Sequence, residues 1–225
     1  DLPRLRFLTS YPRDFSDEAL DVMASSPRIC GFLHIPAQHG NNRVLKKMNR
    51  GYTKEEYLSL IHRARTRMAD ISIVGDMIVG FPTESDDEFE DSLELLREVR
   101  HKNVFVFKYS PRPGTVTHRK DEDDIPEAVK KHRNNRMLEV QQEISLAHHE
   151  SMVGRQFDVL VEGQAKIDPR KPRRTPSENA HSESGAPGGL VHIGGKKSAA
   201  ASNQAPKEND SVWLTSRTTG DHIVT

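Results

Sequence analysis

Two hydrophobic periodicities alternate over the first 153 residues. Runs at 5–9, 29–35, 71–80 and 104–109 have strand length and β-branched or aromatic content. Helical patterns lie between them. Ser16 is placed to cap a helix opening Asp17-Glu18, with Leu20 and Met23 turned inward. Thr53 and Glu56 have capping-box spacing ahead of a stripe of Tyr57, Leu60, Ile61, Ala64 and Met68. Ser85 and Glu88 repeat that spacing ahead of Phe89, Leu93, Leu96 and Val99. A longer helix follows, with Pro126 near its first turn and Gly154 just past its end. Its apolar positions Val129, Met137, Val140, Ile144 and Met152 are sparse, which predicts a helix on the outside. Strand–helix–strand alternation implies βαβ units and an α/β fold with a parallel sheet of four strands.

After Gly154 the pattern changes. Residues 156–162 alternate as a half-exposed strand, and 212–215 and 222–225 resume strand character. Between them, 166–210 is dense in Pro, Gly, Ser, Ala, Lys and Asn and is expected to be disordered. The division expected is 1–153 and 154–225.

Composition narrows the function classes. With 33 basic and 33 acidic residues, no global field marks a nucleic-acid or membrane partner. No apolar run approaches the roughly 20 residues of a membrane span, and a cytoplasmic protein is expected. The single cysteine, Cys30, excludes an internal disulfide and a Cys-rich metal site, and its context predicts a small core residue. His34 and His39 have no companions at a metal-ligand spacing. There is no P-loop and no Rossmann glycine fingerprint.

The residues that patterning does not explain fall after the strands: 34–40 after the second, 76–84 after the third and 109–115 after the fourth. In a parallel α/β fold these loops share one rim, where ligands bind. Gln38 either shapes its loop or touches a ligand. Gly80 suits close approach to a flat ligand such as adenine, or a turn that needs no Cβ. Asp76, polar in an apolar strand, needs a partner: a ribose hydroxyl, a cationic ligand or a neighbouring Arg. Glu84 could simply be an acidic residue near a helix start. Pro113-Gly114 suits a type II turn, and Arg112 beside it is a solvated charge or an anion clamp. Lys166, Arg170, Lys171, Arg173, Arg174 and Arg217 offer local basic charge, suited to an RNA backbone or to solvation.

Five segments then stand together: F-L-T-S-Y-P (7–12), L-H-I-P-A-Q-H-G (33–40), V-L-K-K-M-N-R-G-Y-T (44–53), D-M-I-V-G-F-P-T-E (76–84) and K-Y-S-P-R-P-G-T (108–115). In this order they resemble the methylthiotransferase family of radical S-adenosylmethionine (SAM) enzymes. The R-P-G turn and the G-Y-T of 51–53 are closer to its tRNA branch than to the branch that modifies an aspartate of a ribosomal protein. Residues 160–163 and 214–218 resemble the family's TRAM domain.

The resemblance implies the C-terminal part of a radical SAM (β/α) barrel, followed by a small TRAM-like β module that is truncated and interrupted at 166–210. It implies S-adenosylmethionine and two 4Fe-4S clusters as cofactors, tRNA as partner, and an electron donor and a sulfur source. It assigns Gln38, Asp76, Ile78, Val79 and Gly80 to S-adenosylmethionine, and Arg112, Arg217 and Thr218 to RNA. The chain departs from the family at His39, where a serine is expected, and in lacking the C-x-x-x-C-x-x-C loop. The cluster ligands are therefore expected outside this sequence, and the polypeptide alone is expected to be inactive. A non-catalytic RNA-binding remnant is the alternative from another class.

Overall fold

The computed structural model describes residues 2–8, 11–164, 214–218, 220 and 223–224. The low-complexity stretch 166–210, the strand positions Val212 and Trp213, and Thr9 and Ser10 of the first motif lie outside the described residues. Two compact units result, one formed by Asp1–Asp158 with Thr219–His222, the other by Val159–Thr218 with Ile223–Thr225.

In the first unit the chain runs α1 (Asp17–Ser25), β1 (Phe32–His34), α2 (Asn42–Lys47), α3 (Lys54–Arg67), β2 (Ser72–Val79), α4 (Asp86–Val99), β3 (Asn103–Lys108), α5 (Val116–Lys120) and α6 (Glu127–Glu150). The sheet is parallel in the order β1-β2-β3, with Leu33 opposite Ile73 and Asp76 opposite Phe105. Its central strand is buried almost throughout, and only Asp76 and Ile78 are partly open. These two are two residues apart and so share one face of the strand. Met77 and Val79 point to the other face and enter the core with Leu33, Ile35, Leu93 and Leu96.

The local helix signals act as their spacing requires. Ser16 Oγ accepts the Ala19 N–H, and both Thr53/Glu56 and Ser85/Glu88 close as capping boxes. Each box satisfies amide groups at the helix start that would otherwise lack partners.

Three expectations are corrected. Over its described residues, 5–8, the first run is not a strand: Leu5 makes an isolated parallel bridge to Ile29, so among the described residues this sheet has three strands where four were expected. The second run shortens to Phe32–His34, ahead of Pro36, which has no N–H for a ladder. Helix α6 is not simply on the outside. Met137, Val140 and Ile144 are buried, and the same stripe continues backwards through Arg133 and Lys130, also buried.

The second unit is an antiparallel sheet in the order β4-β5-β6, formed by Val159–Gln164, Leu214–Thr218 and Ile223–Val224, with a register shift between Val161 and Gly163. Its first strand starts at Val159 rather than 156; Phe157, in the other unit, instead lies under the Arg155 guanidinium. Among the described residues, no helix is long and apolar enough to cross a membrane.

Candidate active site at the carboxyl ends of the strands

The loops after β1, β2 and β3 converge on a cavity of about 1110 Å³, which Gln38, Arg50, Asp76, Ile78, Tyr109 and Arg112 help to line. The first loop is held by the strand beside it. Gln38 donates its N–H to Asp76 O and accepts from Ile78 N–H, both at 2.8 Å, which extends pairing beyond the end of β1. This contact holds Gln38 at φ +65°, unusual for a non-glycine residue. Its Oε1 accepts from Arg50 Nη2 at 2.9 Å. Arg50 Nε, also buried, has no hydrogen-bond partner. Asp76 finds a partner within the chain: its Oδ1 meets His34 Nε2 at 3.2 Å, and neither side chain is fully buried.

Beneath the cavity floor sits a buried charge cluster centred on Glu84, whose side chain is fully buried. The N–H groups of Gly80 and Phe81 donate to Glu84 Oε2, and Arg133 Nη1 reaches the same oxygen at 3.1 Å. On the other oxygen, His39 Nε2 stands 3.1 Å away. Because the Asn41 N–H donates to His39 Nδ1, the ring proton sits on Nε2 and is donated to Glu84. Arg133 balances the carboxylate charge, which removes most of the burial penalty of a lone anion. Glu84 is thus a central anchor of the β2–α4 loop, not merely an acid near a helix start. His39, where the resemblance leads to a serine, has a structural role of its own.

Gly80 has φ +71°, and a Cβ there would lie 2.3 Å from Lys130 Cγ. The space beside Gly80 is therefore filled by the chain's own lysine stem rather than left open to a flat ligand. Lys130 Nζ bonds the Asp123 carboxylate at 2.5 and 2.7 Å and stands 5.4 Å from the centre of the Tyr109 ring. Burial, then the carboxylates of Asp123 and Asp121, push the Tyr109 hydroxyl above its usual range. Gly40 likewise makes room for a helix, since its Cβ would fall 2.3 Å from Asp91 O.

The structure brings Gln38, Asp76, Ile78 and Arg112 to one cavity and leaves Val79 and Gly80 out of its lining. Val79 is wholly buried, and Gly80 spends its N–H on Glu84. Arg112 is exposed at a turn closed by Thr115 N–H to Arg112 O, with Gly114 at φ +88°. Arg217 and Thr218 lie in the second unit. Arg217 pairs with Glu162 at 2.9 Å, and Thr218 is buried. Cys30 is a core residue beside Phe32 and Val74.

Patterning missed Arg50, Lys130 and Arg133. For the last two a signal existed, because stepping back from Met137 by four and then three positions reaches both.

Residues 2–96 match the Radical SAM superfamily. Among individual proteins, the chain is 44% identical over 168 residues to the tRNA-2-methylthio-N(6)-dimethylallyladenosine synthase of Desulforamulus reducens, covering 75% of this chain and 36% of that protein. With the synthase of the same name from Trichlorobacter lovleyi it shares 48% identity over 165 residues, 73% of this chain and 37% of the other. The chain is similar to these synthases over about three quarters of its own length and spans little more than a third of theirs. A solved radical SAM enzyme, coproporphyrinogen III oxidase from Escherichia coli, covers 61% of this chain and 30% of its own, with 24% identity and a TM-score of 0.46.

Proposed function

We propose that this chain forms the substrate side of a cytoplasmic tRNA methylthiotransferase, which adds a methylthio group to a dimethylallyl-modified adenosine beside the anticodon. The observation that carries this reading is the 44–48% identity to such synthases over about three quarters of the chain. The rim cavity adds a site of suitable chemistry.

The cavity residues fit S-adenosylmethionine. Arg50 carries a guanidinium fork with a buried, unpartnered Nε, suited to an amino-acid carboxylate. Gln38 holds that fork in place through Oε1. Asp76, engaged through Oδ1 with His34, offers its other oxygen to ribose hydroxyls, and Ile78 supplies an apolar wall. Val79 and Gly80 support this arrangement from behind the lining. When bound, S-adenosylmethionine supplies one-electron chemistry and a methyl group.

The residues present do not fit a 4Fe-4S cluster. The only cysteine is buried between Phe32 and Val74, and among the described residues no three His, Cys, Asp or Glu groups gather as a metal site. No step of this chain runs through a cluster; the two clusters, the electron donor and the sulfur source belong to elements beyond these residues. Residues 1–153 act as part of the barrel, and 154–225 act as a TRAM-like RNA-binding module interrupted at 166–210. The small antiparallel sheet β4-β5-β6 supports that module, with Arg217 and Thr218 on its middle strand. Arg112 contacts RNA at the rim.

The test is nucleoside mass spectrometry of tRNA from a strain in which the gene encoding this chain is deleted. Methylthiolated dimethylallyladenosine should disappear and return on complementation. An unchanged level overturns the assignment.

A further inference from the structure

The cavity lining is far more basic than the chain around it. Overall the sequence is balanced at 33 basic and 33 acidic residues, yet six basic side chains line the cavity against two acidic ones, Asp76 and Asp121. Three of the six have partners. Lys47 pairs with Asp121 at 3.0 Å, Arg50 donates to Gln38, and Lys108 pairs with Glu127. The other three, Lys46, Arg112 and Lys120, are exposed and have no side-chain partner among the described residues.

Two of these three cations stand on a strap, residues 109–124, in which three of the four carboxylates are engaged inward or sideways and the fourth, Glu122, is exposed. Asp121 holds Lys47 of α2, Asp123 holds Lys130 of α6, and Asp124 Oδ1 accepts the Thr83 N–H at 2.7 Å. Helix α5 within the strap buries no residue and ends in His118, Arg119 and Lys120. A five-residue helix without core contacts has little stability of its own, so the aspartate latches are what fix it. Their arrangement uses three of the four negative charges to fasten the strap and leaves Arg112 and Lys120 facing solvent. Lys46, on α2, adds a cation from a second element of the cavity lining.

We propose that Lys46, Arg112 and Lys120 form a phosphate grip that binds the RNA backbone flanking the base presented to the cavity. The identity of the polyanion as RNA rests on the function proposed above. Compact exposed cations around a concave site attract a chain of phosphates and release its counterions, so their contribution weakens with salt. Lys47 gives the grip its fixed geometry through Asp121.

The experiment measures binding of a fluorescent anticodon stem-loop RNA to the full 225-residue chain across a salt series. The triple variant K46E/R112E/K120E should weaken binding at least about tenfold and lower the slope of log K against log salt by about two. A charge-matched control, R97E/K131E/R136E, alters exposed cations outside the cavity lining and should bind as the parent does. All six positions are exposed, so thermal midpoints should match the parent within about 2 °C. An unchanged salt slope in the grip variant, or an equal loss in the control, overturns the proposal; so does a parent chain that shows no salt-dependent binding. The deletion strain separates this from failure of the function itself. If methylthiolation is lost there while the grip variant binds normally, the function stands and the grip falls.

Discussion

Replacing Gly80 with alanine decides between two roles for this position: accommodation of the protein's own side chain, or approach to a ligand. An alanine at φ +71° costs about 1–2 kcal/mol for the left-handed backbone alone. The added Cβ would also sit 2.3 Å from Lys130 Cγ, well inside the ~3.5–4 Å of a normal carbon contact. Lys130 cannot simply swing into solvent. Its side chain is 4% exposed, and its ammonium group is tied to Asp123. Moving it loosens that pair, which is buried only on the lysine side, and strains the packing, a further cost of about 1–3 kcal/mol. The expected loss is therefore about 2–5 kcal/mol, or a fall in Tm of about 5–15 °C for a unit of this size. Urea unfolding followed by circular dichroism measures it. In a Lys130→Ala background the same substitution should cost about 1–2 kcal/mol, close to the backbone part alone. If Gly80→Ala instead left stability unchanged and abolished S-adenosylmethionine binding in calorimetry, the packing argument would be refuted.

Three more outcomes follow from the same structure. Arg50→Lys keeps the charge but loses the guanidinium fork, so S-adenosylmethionine affinity should fall at least about tenfold with Tm nearly unchanged; equal affinity in calorimetry would remove Arg50 from the site. The Arg43 guanidinium holds the Glu88 carboxyl down at about 2. This contribution is complete above the ordinary value of 4.5 and is lost as pH falls from there towards 2. Since Arg43 is half exposed, Glu88→Gln should cost only about 1 kcal/mol at neutral pH, and the gap from the parent in urea titrations should close below about pH 3. Burial pushes His101 down to about 3, with Tyr57 OH 2.9 Å from its Nε2. Below about pH 6.5 the unfolded chain takes up a proton that the folded one refuses, so stability should fall by up to about 1.4 kcal/mol per pH unit. His101→Asn should flatten that slope; a slope of equal steepness in the variant would show that another group is responsible.

Much of the scaffold was legible because its signals are local. Thr53/Glu56 and Ser85/Glu88 each join groups three residues apart, so any chain that starts a helix there closes the same box. The apolar run of β2 has strand length and β-branched content, and alternation with helices made the sheet parallel. Parallel order then forces the loops after β1, β2 and β3 to one rim, which is why Gln38, Asp76, Ile78 and Arg112 could be grouped before any contact was known. Residues 5–8 do not form a strand because patterning describes a residue's fitness for pairing and not whether a partner lies alongside; among these described residues only Leu5 has one.

The sequence by itself determined the starts of α1, α3, α4 and α6, the parallel α/β class, the family resemblance and the rim on which the unusual residues gather. These depend on spacings of two to four residues, or on motif order, and both are present in the unfolded chain. Only the tertiary structure decided how the charges are used. Glu84 meets His39 across 45 positions and Arg133 across 49, and Gly80 is shaped by Lys130 from a distant helix. The same structure turned Asp121, Asp123 and Asp124 into latches and left Lys46, Arg112 and Lys120 open. A buried charge is tolerable only with a partner, and which partner arrives depends on how distant segments pack.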